Sequence, residues 1–205
     1  MDRRTTIKWV LAAGAAFPLF ERRAARADSA LTGRGYGTDP NLLAVYRPGE
    51  LWPLTLTAAQ RRLAGILADI IVPADAHSPS ASAVGVVEFI DEWVSAPYPA
   101  HQRDRNIVLD GFTWLDAEAG RRFGKGFSDL ASAPQHGICD DICDESRATT
   151  DRAAAAHFFA LYRDLTAGGF YSTPAGRKDL NFIGNVPLAR FEGPPPALLK
   201  ALGLG

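Results

Sequence analysis

The sequence predicts an all-α fold: an irregular helical bundle with long loops and an extended N-terminal arm. Three observations carry this expectation. Apolar residues recur at three- and four-residue spacing in several separate stretches. Helix start and stop signals bracket those stretches. No run of alternating apolar and polar residues, the mark of a half-buried strand, reaches any length, and no internal repeat is present.

The first helix is announced by Thr57 followed three residues later by Gln60, a capping box in which each side chain satisfies the other's backbone N–H. Behind it Leu63, Ile66, Leu67, Ile70 and Ile71 form one apolar stripe, and Pro73 stops the helix. A loop of small polar residues from His77 to Ser82 leads to a second helix with Val84, Val87, Ile90 and either Trp93 or Val94 inward, ended by Pro97 and Pro99. A third runs from about Ala100 to Arg122, its stripe formed by Ile107, Val108, Phe112 and Leu115. After a turn at Gly124 and Gly126 a short helix is expected from Pro134 to about Glu145. The last long helix covers Thr150 to Ala167 with Phe158, Leu161, Tyr162 and Leu165 inward, and Gly168-Gly169 is read as its C-cap. A short helix near Ala175 to Leu180 and a terminal helical turn after Pro194-Pro195-Pro196 complete the body.

The N-terminus has its own logic. Arg3, Arg4 and Lys8 precede an apolar stretch from Trp9 to Phe20, and Ala25-Arg26-Ala27 supplies a small-x-small cleavage site. The apolar stretch holds Gly14 and Pro18 and falls well short of the roughly 20 residues a membrane-spanning helix needs. This is the layout of a cleaved secretory signal. The paired arginines, with Arg22, Arg23 and Arg26 near the cleavage site, point to the twin-arginine route, which exports folded proteins. Thr6 and Asp2 depart from the residues usual in such signals. The alternatives are an N-terminal amphipathic helix or a retained anchor. The chain thus divides into a twin-arginine signal peptide over 1–27, an arm rich in Gly, Pro and polar residues over 28–53, and a helical domain over 54–205.

Charge limits the partners. The 205 residues carry a net charge of −1. The signal holds Arg3, Arg4, Lys8, Arg22, Arg23 and Arg26 against Asp2 and Glu21, so the remainder is more acidic, at about −5 by simple counting. No basic stripe is left to meet phosphates, which excludes nucleic acid as the expected partner.

Catalytic signatures are absent from the sequence: there is no GxGxxG after a strand, no phosphate loop, no GxSxG elbow, no HExxH and no CxxCH. His77, His101, His136 and His157 fall on different expected elements. A metal site from His136, Cys139, Asp140 and Cys143 can be drawn on one helical face, but one short helix cannot wrap a tetrahedral ion. Cys139 and Cys143 are the two cysteines. An oxidising destination favours a disulfide. Residues four apart on a regular helix hold their Cβ atoms about 5–6 Å apart, against the 3.5–4.5 Å a disulfide requires. A local bond through a distorted segment, a bond to a partner subunit and two free thiols all stay open. The carboxylates Asp140, Asp141, Asp144 and Glu145, and again Glu88, Asp91 and Glu92, read as solvated faces or helix N-terminal charges. Phe170 and Tyr171, just past the expected glycine cap, either close the core or face outward as a partner contact.

Three stretches carry a resemblance. Leu56-Thr57 through Ile70-Ile71-Val72-Pro73-Ala74-Asp75, followed by Val86-Val87-Glu88-Phe89-Ile90-Asp91, resembles the opening of the gluconate 2-dehydrogenase subunit 3 family. Phe158-Phe159 through Leu165-Thr166, Gly168-Gly169-Phe170-Tyr171-Ser172 and Asn181-Phe182-Ile183-Gly184-Asn185 resemble its closing signature. The likeness runs in order from about residue 54 to 195, and the stretch Phe123 to Gly137 departs from it. It implies a small, non-catalytic periplasmic subunit, exported by the twin-arginine machinery and without catalytic, cofactor-binding or metal residues of its own. Its partner is a large FAD-containing dehydrogenase of the glucose–methanol–choline type that oxidises sugars, sugar acids or glycosides. A multihaem cytochrome c subunit often takes the electrons onward and would provide any membrane association. The rival readings are a stand-alone periplasmic enzyme and a helical ligand-binding protein.

Overall fold

A computed structural model of the chain describes residues 46–182, 193, 194, 196–201 and 203. Among them every regular element is helical. The helices are α1 (Ala58–Ile71), α2 (Val86–Ser95), α3 (Pro99–Phe123), α4 (Ser132–Asp140), α5 (Ala153–Ser172), α6 (Pro174–Asp179) and α7 (Pro196–Ala201). No helix of the described residues is long and apolar enough to cross a membrane. The signal residues Arg3, Arg4, Lys8, Ala25 and Ala27 lie outside the described residues, as does most of the expected arm.

α5 is the axis of the bundle. It packs against α3, α2, α1 and the short α6, while α3 also carries α2 and α4. Its face of Phe158, Tyr162, Leu165 and Phe170 meets Leu63 and Leu67 of α1, Ile90 and Val94 of α2, and Val108, Phe112 and Leu115 of α3 in one buried cluster. The capping box forms as the sequence indicates, Thr57 and Gln60 each accepting from the other's backbone N–H. At the centre the Tyr162 hydroxyl donates to the Ala64 carbonyl at 2.8 Å and ties α5 to α1. Burial removes the phenol from water, raises its pKa and keeps it a neutral donor.

Several boundaries differ from expectation, each for a local reason. Gly168 and Gly169 do not cap α5, which continues to Ser172. Gly169 is there for close approach: a Cβ at this position would stand 2.8 Å from Phe89 of α2. Val84 belongs to a 3₁₀ turn, Ser82–Val84, because Gly85 at φ +88° breaks the chain direction before α2 begins. Pro99 does not end α2 but opens α3 at its first turn, where a missing N–H costs nothing. α4 stops at Asp140 rather than near Glu145. The Asp144 carboxylate accepts from Ser146 N at 3.0 Å, a local turn that competes with helix. α5 likewise starts at Ala153, after a 3₁₀ turn over Thr150–Arg152.

Candidate functional site

Asp91 was expected on a solvated face; the structure buries it completely. Its Oδ1 accepts from the backbone N–H of Thr55 at 3.3 Å and of Leu56 at 3.1 Å, and from the Ser95 hydroxyl at 3.2 Å. Arg61 binds its Oδ2 at 2.6 Å and reaches Glu88 at 2.8 Å. A buried carboxylate persists when charge and lone pairs are both met, and here four donors meet them. One residue on, Glu92 holds the same incoming segment: Gly49 N donates to its carboxylate at 2.8 Å and Trp52 Nε1 to its carbonyl at 3.0 Å. Residues 49–57 are thereby strapped along α2. The sequence carried a signal for Asp91, since Val87, Asp91 and Val94 stand at the spacing of one helix face.

A second ion network, which takes in Asp141, is also structural. Glu118 of α3 pairs with Arg121 at 2.7 Å and with Arg122, which continues to Asp141 at 2.6 Å, and Arg152 reaches Asp141 at 3.2 Å. The network binds the ends of α3 and α4 to the start of α5. The Arg121 guanidinium, helped by Arg122, holds the Glu118 carboxyl down at about 2.

The cysteines and the drawn metal site separate. Cys139 is buried while His136, Asp140 and Cys143 are exposed, so the four do not share a face. Among the described residues no three His, Cys, Asp or Glu side chains converge as a metal would require. Both thiols are free. Burial pushes the Cys139 thiol up to about 12, and Cys143, beyond the end of α4, donates to the Asp140 carbonyl at 3.4 Å.

The expected aromatic pair divides as well. Phe170 is 1% exposed and belongs to the core; its outward reading is corrected, because α5 runs past the glycines and carries residue 170 to the inner face. Tyr171 is 38% exposed, edge-on to Phe170 with ring centroids 5.2 Å apart. α6 folds back tightly there: a Cβ on Gly176 would lie 2.2 Å from the Phe170 carbonyl oxygen. Thr173 caps α6 by accepting from Gly176 N at 3.1 Å. At the far end Asn181 N donates to Lys178 O at 3.0 Å and Phe182 N to Arg177 O at 2.9 Å, with Asn181 at φ +52°. This is a Schellman closure with Asn in the left-handed position. It leaves Leu180 and Phe182 each 57% exposed. These two were not singled out from the sequence as contacts; a left-handed Asn after a short helix was the available signal.

Two hollows lie on the surface of the described residues. One of about 310 Å³ lies between α3 and α5, walled by Ile107, Trp114, Gly111 and Ala154, with His157 at its edge engaged to Glu145 at 2.9 Å. The other, of about 270 Å³, is crossed by the Arg62–Asp129 ion pair.

The family model for gluconate 2-dehydrogenase subunit 3 matches residues 58–190, well over half of the chain. The chain belongs to that family. The family is one of dehydrogenase small subunits, a kind of chain that works inside a multi-subunit complex. The match begins with α1 and ends beyond the exposed Schellman turn, so it takes in Asp91, the buried Phe170, and the exposed Tyr171, Leu180 and Phe182. No curated protein matches the chain, and no solved structure does.

Proposed function

We propose that this chain is the non-catalytic small subunit of a periplasmic, FAD-dependent dehydrogenase of the glucose–methanol–choline type acting on a sugar, sugar acid or glycoside. It escorts the flavoprotein through the twin-arginine machinery and stabilises it afterwards. The family match carries the reading. The Arg3-Arg4 signal layout supports folded export, which suits a flavoprotein loaded before it crosses the membrane. The engaged acids support an accessory role, since Asp91 and Glu118 are committed to holding helices together. In this reading the flavin belongs to the large subunit, and a multihaem cytochrome c would be a third component.

The test is export. Arg3→Lys combined with Arg4→Lys should hold both this chain and its flavoprotein partner in the cytoplasm, read by fractionation and dehydrogenase activity. A flavoprotein that still reaches the periplasm overturns the escort role.

A further inference from the structure

We infer that the tip formed by Leu180 and Phe182 at the end of α6 is the anchor by which this subunit docks on its large partner, inserting into an apolar cleft edged by carboxylates. The inference rests on the accessory-subunit reading and names the surface that reading needs. The tip is built rather than frayed. Phe170 is locked in the core, Gly176 seats α6 against the Phe170 carbonyl, and the Schellman turn fixes Asn181 in the left-handed region. A Schellman turn usually packs the residue after its left-handed position onto the third residue from the helix end. Here that third residue is Arg177, and Phe182 is left 57% exposed. Pre-ordered aromatic and aliphatic anchors bind with little entropy lost.

Charge selects the occupant. Exposed Arg177 and Lys178 border the tip, with Asp179 offsetting one of them. A lipid surface is recruited by clusters of about four to eight basic residues, far more than stand here. A different protein presenting acids around an apolar cleft meets both features.

The experiment co-expresses the tagged full chain with the large flavoprotein subunit of its source. It compares wild type, Leu180→Asp/Phe182→Asp, Arg177→Glu/Lys178→Glu, and Phe123→Asp, which alters an exposed aromatic 45% accessible at the end of α3. Wild type and Phe123→Asp should capture the flavoprotein. The Leu180/Phe182 variant should lose at least about tenfold in affinity with its own melting temperature unchanged, since anchors of this kind dominate binding energy. The charge-reversed variant should lose affinity too, and it decides the matter if the first variant melts early. Wild-type capture that both tip variants retain overturns this inference alone. So does loss confined to flotation with phosphatidylglycerol vesicles, or to self-association. A wild-type chain that captures nothing overturns the accessory-subunit reading, and the docking surface with it.

Discussion

Two glycines on the same bundle have opposite tasks, and a single methyl group distinguishes them. A Cβ on Gly111 would stand 2.0 Å from the Phe158 ring, so Gly111→Ala forces α3 and α5 apart. Overpacking of this kind costs about 1–3 kcal/mol, to be read as lowered thermal stability. Gly168 has nothing within 4 Å of its would-be Cβ and lies inside α5. Gly168→Ala should therefore stabilise, by up to about 1 kcal/mol, because alanine is the better helix former. A left-handed cap at Gly168 would give the reverse sign. The thiols make a second contrast. In the native protein Cys143 should alkylate readily and Cys139 only after unfolding, since Cys139 is 3% exposed and its thiol is held protonated. Mass spectrometry of the labelled peptides checks this, and equal labelling of both would contradict the burial.

At the scale of elements, the strap and the ion network can be cut separately. Asp91→Ala leaves the buried Leu56 N–H without its acceptor and Arg61 with Glu88 alone, while the Thr55 N–H keeps the Ser95 hydroxyl at 2.9 Å. Losing one partner of a buried pair costs about 3–5 kcal/mol, and Arg61, with 31% of its side chain exposed, puts this case at the lower end. Proteolysis near residues 49–57 should rise together with the fall in stability. The Glu118 network adds a pH signature. The folded pKa lies below the ordinary value of 4.5, so its stabilisation is complete above that pH and is lost as pH falls towards 2. The stability gap between wild type and Glu118→Gln should thus be widest at pH 5 and above and close between pH 4.5 and 2. A gap independent of pH would deny the carboxylate its role. Which elements were legible follows the same physics. The capping box and the stripes of α1, α3 and α5 could be read directly, because period and cap are local properties. Gly169 and Pro99 misled because their purpose is set by what stands opposite or next: Phe89 across the interface, and the first turn of α3. Asp91 stands at the spacing of the inward face of α2, and what the sequence did not reveal is the set of partners that meets its charge, Arg61 at a separation of 30 residues and the Thr55 and Leu56 N–H groups at 36 and 35.

For the whole molecule, the family is readable from short ordered stretches, whereas the tip at Leu180 and Phe182 depends on a turn geometry that composition does not reveal. The proposed division of labour has a direct spectroscopic consequence. The purified mature chain should show no flavin or haem absorbance and no dehydrogenase activity with an artificial electron acceptor, both appearing only when the large subunit is added. A stoichiometric chromophore in the isolated subunit would falsify the non-catalytic assignment. Addition of the large subunit should also raise the melting temperature of the small one, in proportion to the logarithm of partner concentration over Kd.

The hydrogen bond between Tyr162 and Ala64 joins residues 98 positions apart. On a ribosome adding roughly 5–20 residues per second, the apolar stripe of α1 waits about 5–20 s for the helix that covers it. During that interval Leu63 and Leu67 lack the α5 wall they pack against in the finished protein. Synthesis order therefore sets a timetable: the N-terminus emerges first, but the body cannot close until α5 has left the exit tunnel. A nascent chain arrested before Tyr162 should behave as a chaperone client, while one released past Ser172 should not.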